Sequence, residues 1–157
     1  MKYLITALLL ASTAFAQTQL RSLQGAEVSL EDFRGKVVVA SFSAHGIPLT
    51  RAELPQLQKL AKKYTDVVFL WISINSTLPT ARNYASDSDL KTLTAAYDQL
   101  TVLRDPNGAV YKTFGSTALP TLIILDKQGK LAAEPIRGID PSNLAAELEP
   151  ILQKLIQ

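Results

Sequence analysis

Two kinds of apolar run alternate along the chain. Residues 37–42 (VVVASF) and 67–74 (VVFLWISI) are short and almost continuously apolar, the pattern of strands covered on both faces. Between them Leu54, Leu57 and Leu60 recur at helical spacing. That spacing predicts a helix over residues 50–64, with Thr50 or a neighbour as N-cap and Glu53 in the first turn, in a dipole or capping-box role. Pro55 is expected to restrict or kink the early turns. Upstream, residues 20–30 read as two short strands around Gln24-Gly25, then a helical turn over 31–34 stopped by Gly35. Downstream, residues 76–99 read as helical with a break at Ser86-Asp87-Ser88, and Leu90, Leu93 and Tyr97 share a face of the second half. A short strand over 100–103 leads into the turn Asp105-Pro106-Asn107-Gly108, and a short helix through Phe114 ends at Gly115. Residues 121–125 and 130–136 form a predicted hairpin around Asp126-Lys127-Gln128-Gly129. Asp140-Pro141 caps a last helix whose apolar face is Leu144, Leu148, Ile151, Leu152, Leu155 and Ile156, with Pro150 as a kink. The order β-β-α-β-α-β-α-β-β-α predicts an α/β domain: a mixed central β-sheet flanked by helices on both faces, with an N-terminal β-hairpin.

The first sixteen residues break this pattern. Lys2, an apolar core over residues 4–11 and the small-x-small site Ala14-Phe15-Ala16 make a secretory signal peptide, cleaved ahead of Gln17. Its apolar core is too short to span a bilayer, which takes about 20 residues. The expectation is therefore a single domain over residues 17–157, periplasmic or secreted, with no membrane insertion after cleavage. Cysteine is absent from the whole chain, so no disulfide, thiolate nucleophile or Cys metal site can form. One histidine and no calcium-type loop leave no metal expected, and no cofactor is expected either. A net charge of +2 without any run of four Lys/Arg argues against nucleic acid as a partner.

The strand at 37–42 passes through a short loop, Ser43 to Pro48, directly into the predicted helix. Backbone N–H groups and the positive end of the helix dipole converge at such a junction, a common place for chemistry. Yet Ile47, Pro48, Leu49 and Thr50 carry no ionisable side chain and no strong nucleophile.

From residue 20 to residue 156 the chain resembles thioredoxin-like proteins of the TlpA/ResA type, redoxins related to the AhpC/TSA proteins. The resemblance rests on five segments in the right order: VSLEDFRGKVVVASF, RAELPQLQKLAKKY, LRDPNGAVYKTFG, ALPTLIILDKQGKL and RGID. It implies a thioredoxin-like fold. In that family a W-C-x-x-C loop precedes R-x-E-x-P; aligning Arg51, Glu53 and Pro55 puts Gly46 at the Trp position and Ile47 and Thr50 at the two cysteine positions. A peroxiredoxin-type T-x-x-C loop would place its cysteine on Thr50. Glu53 matches a family glutamate that moves protons at the thiols, which here has no object. The resemblance also makes Leu119-Pro120 a cis bond facing the loop, with Leu119 offering its backbone to an extended peptide.

Two loops are thus the candidate binding site: His45, Ile47, Pro48 and Thr50 on one, Leu119 and Pro120 on the other, with Ile139 beside them. Ile47, Pro48, Leu119, Pro120 and Ile139 make an apolar groove, the kind of surface that marks interaction. No catalytic residue is expected. The first expectation is an exported thioredoxin-fold protein without dithiol chemistry, acting not as an enzyme but by binding an extended polypeptide or partner protein. Two alternatives stay open: a part in thiol-disulfide or peroxiredoxin-like chemistry through a partner's cysteines or by non-thiol means, and a structural subunit of an envelope complex.

Overall fold

A computed structural model describes residues 19–157; the signal peptide expected at residues 1–16 lies outside the described residues. The N-terminal hairpin pairs β1 (Gln19–Ser22) with β2 (Glu27–Ser29), and a 3-10 turn over Leu30–Phe33 follows. Then come β3 (Val37–Ser43), α1 (Pro48–Lys63), β4 (Val67–Ser73), α2 (Asp87–Thr94), β5 (Thr101–Arg104), α3 (Ala109–Thr113), β6 (Thr121–Leu125) and β7 (Ile136–Arg137). A 3-10 turn over Pro141–Asn143, capped by Asp140, leads into α4 (Leu144–Leu155).

The seven strands form one mixed sheet in the order β2-β1-β5-β4-β3-β6-β7. β3, β4 and β5 run parallel, while β1, β6 and β7 join antiparallel. Every residue of β3 is buried, as expected for a central strand with both faces covered. Its side chains alternate between two cores. Val37 and Val39 pack with Phe69 and Trp71 of β4 under Leu54, Leu57 and Leu60 of α1 and Leu144, Leu148 and Leu152 of α4. Val38, Ala40 and Phe42 pack on the other face with Val110, Tyr111 and Phe114 around α3. Among the described residues, no helix is long and apolar enough to cross a membrane.

Three expectations need correction. The predicted helical region over 76–99 is helical only in α2; residues 76–85 form an irregular connection held by a bridge between Ser76 and Tyr84. Turn hydrogen bonds within it, such as Ala81 N to the Leu78 carbonyl and Tyr84 N to the Ala81 carbonyl, are joined by one side chain from outside. Arg104, buried on β5, donates Nη2 to the carbonyls of Asn75, Ser76 and Ala85 and Nη1 to Asp87 of α2 (2.7 Å). Arg21 of β1 meets the same Asp87 carboxylate, and these guanidinium groups, Arg21 first, hold it below the usual carboxylate range. The return strand predicted over 130–136 is also shorter. Leu131 makes a single bridge to Leu125, and pairing resumes only at β7, where Ile136 meets Leu122. Last, α1 begins at Pro48, not at Thr50, because proline at a first helical position is already set for the helix. The helix continues through Pro55, which faces solvent.

Candidate functional site

The site lies where β3 ends. Gly46 adopts a positive φ of 92°, which lets the chain turn back into α1 within a few residues. Ile47 occupies the N-cap position with extended backbone and makes no side-chain cap. Pro48 and Leu49 are exposed, Leu49 at 40 %, and Ile47 is half-buried. Thr50 is no cap: it is 1 % exposed and faces inward. Its hydroxyl donates to the carbonyl of Ala44 (2.8 Å), so the 2.6 Å contact with Ser43 Oγ is one in which the serine donates.

Below Thr50 lies Glu53, and it too departs from expectation. It is neither a surface residue nor part of a capping box. It is fully buried against the sheet and accepts a hydrogen bond from Ser41 Oγ. Among the described residues its second oxygen, Oε2, has no hydrogen-bond partner, and the indole Nε1 of buried Trp71 has none either. Burial raises the carboxyl from 4.5 to about 7, against the pull of Ser41, Trp71 and Ser43, which favour the charged form. Trp71 is near enough to exert that pull without a hydrogen bond of good geometry. A signal for this cluster is present in the sequence. Thr50, Glu53, Leu57, Leu60 and Ala61 continue one helical stripe, and Ser41 and Ser43 continue the face of β3 that Val37 and Val39 begin. The polar ends of the two stripes face one another.

On one side of β3 stands the second loop. Phe42 pairs with Thr121, so the start of β6 lies beside the end of β3. The Leu119–Pro120 peptide bond is cis. Ala118 is fixed through its carbonyl, which accepts from Tyr111 Oη (2.9 Å) and Thr121 Oγ1 (2.6 Å). The carbonyl of Pro120 accepts from Gly138 N (3.0 Å), which brings Ile139 alongside. Among the described residues, neither the N–H nor the carbonyl of Leu119 has a hydrogen-bond partner. Ile139 is itself mostly buried and, with Leu49, Ala52, Gln56 and Pro141, lines a largely apolar groove of about 480 Å³.

His45 belongs to the other side. Asn75, buried beyond the end of β4, accepts from His45 N (2.7 Å) and donates to the carbonyl of His45 (3.3 Å). The imidazole therefore lines a separate cavity of about 390 Å³ between the loop and α2, with Arg51, Leu54, Asp89, Leu93 and Tyr97. Thus Thr50 and the Leu119-Pro120 loop share one end of the sheet, with Ile139 beside Pro120, whereas His45 is separated from Pro120 by β3. The Thr50 proton is already committed to the Ala44 carbonyl, which leaves none for His45 to take as a base. Among the described residues, no group of three His, Cys, Asp or Glu side chains could hold a metal ion.

Known proteins agree with this geometry. The chain is 30 % identical over 135 residues to the thiol-disulfide oxidoreductase ResA of Bacillus thuringiensis subsp. konkukian, a match covering 85 % of this chain and 71 % of the relative. It is 30 % identical over 111 residues to the thioredoxin-like protein YneN of Bacillus subtilis, covering 70 % of this chain and 62 % of that protein. Among solved structures, the exposed lipoprotein thioredoxin Etrx1 of Streptococcus pneumoniae superposes with a TM-score of 0.65 at 29 % identity, covering 84 % of this chain and 97 % of the other. A thioredoxin-like protein from Aeropyrum pernix shares the fold with a TM-score of 0.72 at 18 % identity, covering 87 % and 88 %. Residues 12–134 match the AhpC/TSA family. The chain belongs to the AhpC/TSA family, as a thioredoxin-like member without a single cysteine.

Proposed function

We infer that this protein is an exported thioredoxin-fold chain that holds an extended polypeptide, or a flexible segment of a partner protein, without exchanging electrons itself. One observation carries the reading. Half-buried Ile47 and buried, hydrogen-bonded Thr50 stand where the family resemblance places the thiols, while at the same end of the sheet the Leu119 backbone is unpaired among the described residues. An unpaired backbone at the start of a strand is the acceptor and donor that strand addition needs. Ile47, Pro48, Leu119, Pro120 and Ile139 would supply apolar contacts to alternate side chains of the bound segment. Export is supported by the pattern of residues 1–16 and by a relative described as an exposed lipoprotein. A second reading, action through a partner's cysteines, draws on relatives named as thiol-disulfide oxidoreductases.

The test uses a carboxymethylated, permanently unfolded polypeptide titrated into ¹⁵N-labelled protein. The amides of Ile47, Leu49, Leu119 and Ile139 are expected to shift, and Ile47→Lys to weaken binding by about tenfold, the scale of a central interface residue. Insulin disulfides are expected to be reduced no faster than in the blank. Shifts wholly outside the two loops, or disulfide turnover by the purified chain alone, would overturn the reading. Turnover appearing only with a thiol-bearing partner would favour the second one.

A further inference from the structure

The cavity on the His45 side of β3 has no part in that reading, and its lining is of mixed character. Its floor is apolar: Leu54 of α1 is fully buried, and Leu93 and Tyr97 pack against the same core. Its rim carries one guanidinium and one carboxylate. Arg51 is exposed and, among the described residues, makes no hydrogen bond or ion pair. Asp89 is engaged, its Oδ2 accepting from the N–H (2.8 Å) and the hydroxyl (2.7 Å) of Ser86, the residue it caps in return. The Ser86 hydroxyl and N–H, and more weakly His45, hold the Asp89 carboxyl below the usual range, so it stays anionic at neutral pH. The wall nearest the loop is fixed, because both backbone groups of His45 are held by Asn75, which is itself tied to Ser73 Oγ (2.8 Å) and the carbonyl of Asn83 (2.9 Å).

We propose that this cavity binds an apolar or aromatic group carrying a single carboxylate, with Arg51 as the anchor and the partly exposed Leu93 and Tyr97, backed by Leu54, as the seat. An unpaired guanidinium presents parallel N–H donors that match a carboxylate two at a time. The apolar floor selects a ligand with a hydrophobic body, and about 390 Å³ suits one aromatic ring with a short chain. Asp89 on the same rim repels a second negative charge, so a dianion such as a phosphate monoester is disfavoured. The carboxylate has two natural sources, a free organic acid or the C-terminus of a polypeptide, and both present the same head to Arg51.

The experiment is an amide-shift titration of the full chain with 3-phenylpropanoate, 3-phenylpropanamide, and a phenylalanine-terminated tetrapeptide as free acid and as C-terminal amide. The acids are expected to shift His45, Arg51, Leu93 and Tyr97, with the amides at least about tenfold weaker, as loss of a charge-assisted bidentate contact implies. Arg51→Gln is expected to reduce the acids to the level of the amides; Arg51 is exposed, so the fold is kept, which the unchanged remainder of the spectrum would verify. Binding of the small acid as tight as that of the peptide acid identifies an organic acid as sufficient, and binding of the peptide acid alone identifies a chain terminus. Equal binding of acids and amides, no effect of Arg51→Gln, no shifts, or shifts confined to the groove at Leu49 and Ile139 would overturn the proposal. Since the two sites lie on opposite sides of β3, failure here leaves the polypeptide reading untouched, and failure there leaves this one standing.

Discussion

Glu53 is a carboxylic acid inside a hydrophobic layer, with one oxygen bonded to Ser41 and the other unpaired. Its consequence is a pH dependence of stability with a definite sign. Burial raises the folded-state carboxyl to about 7 from 4.5, so between those values the folded chain keeps a proton that the unfolded chain releases. The slope of unfolding free energy with pH is therefore negative there. The stabilisation is whole below pH 4.5, declines through the interval, and is gone above pH 7, a change on the order of 3 kcal/mol. Urea midpoints measured at pH 5 and pH 8 should show the wild type losing stability on that rise. Glu53→Gln keeps the shape and an acceptor for Ser41 and should flatten the dependence, ending more stable than wild type at pH 8. An equal pH slope in both proteins would mean another group is responsible. Other carboxylates move the opposite way: Asp87, held low first by Arg21 and then by Arg104, contributes stability above the ordinary Asp range that is lost as pH falls through its lowered value.

At the scale of elements, α2 and the connection before it show how one side chain can organise a segment that has no regular structure. The guanidinium of Arg104 ties carbonyls of residues 75, 76 and 85 to β5 and to Asp87. Arg104→Met would fill much of the same volume but leave the carbonyls of Asn75 and Ala85 without the guanidinium donor, while Asp87 keeps only Arg21. A loss of about 3 kcal/mol or more in global stability is expected, in line with breaking a buried pair and abandoning buried acceptors. Hydrogen exchange at the amides of Ser76 and Ala85 should rise well before that of β3. Arg104→Lys should rescue little, because an ammonium cannot reach several acceptors in a fixed plane as the fork does. Most of the face expected for α4 is covered, Leu144, Leu148 and Leu152 fully and Ile151 and Leu155 partly, but Ile156, one residue past the helix, is exposed.

The whole molecule decides how close solvent comes to the two positions that hold thiols in its relatives' pattern. The end of β3 and α1 seal position 50, whereas position 47 stays at the rim. Ile47→Cys should therefore react readily with an aromatic disulfide reagent. Thr50→Cys should react at least about tenfold more slowly, since a thiol must be exposed and ionised to attack. Comparable rates for the two single variants, read from the released thiolate, would mean that the 44–50 loop opens far more than the structure indicates. The same arrangement puts the two candidate binding regions on opposite sides of β3. One is a largely apolar groove whose Gly138 is hydrogen-bonded to Pro120 of the cis X-Pro loop, the other a charged-rim cavity against α2.

Sequence alone was enough for the strands, most helices and the family. Runs such as VVVASF and VVFLWISI, the turn at Asp105-Pro106-Asn107-Gly108 and the stripe of α4 are set by local periodicity and turn chemistry, which the chain carries residue by residue. The absence of cysteine, and with it of thiol chemistry, is likewise a fact of composition. What tertiary structure decided is where the polar side chains point. Thr50 and Glu53 read as helix-start residues because serine, threonine and acids favour that place, but the pairing of α1 with β3 turned them onto Ser43 and Ser41. Residues 76–85 read as helical because nothing nearby in sequence reveals Arg104, which ties the Ser76 and Ala85 carbonyls from across the fold. The family resemblance sets the loop of His45 and the loop of Pro120 face to face as one site, whereas strand order puts the two residues on opposite sides of β3. Periodicity is local; the partner of a buried polar atom is chosen by contacts between segments far apart in the chain.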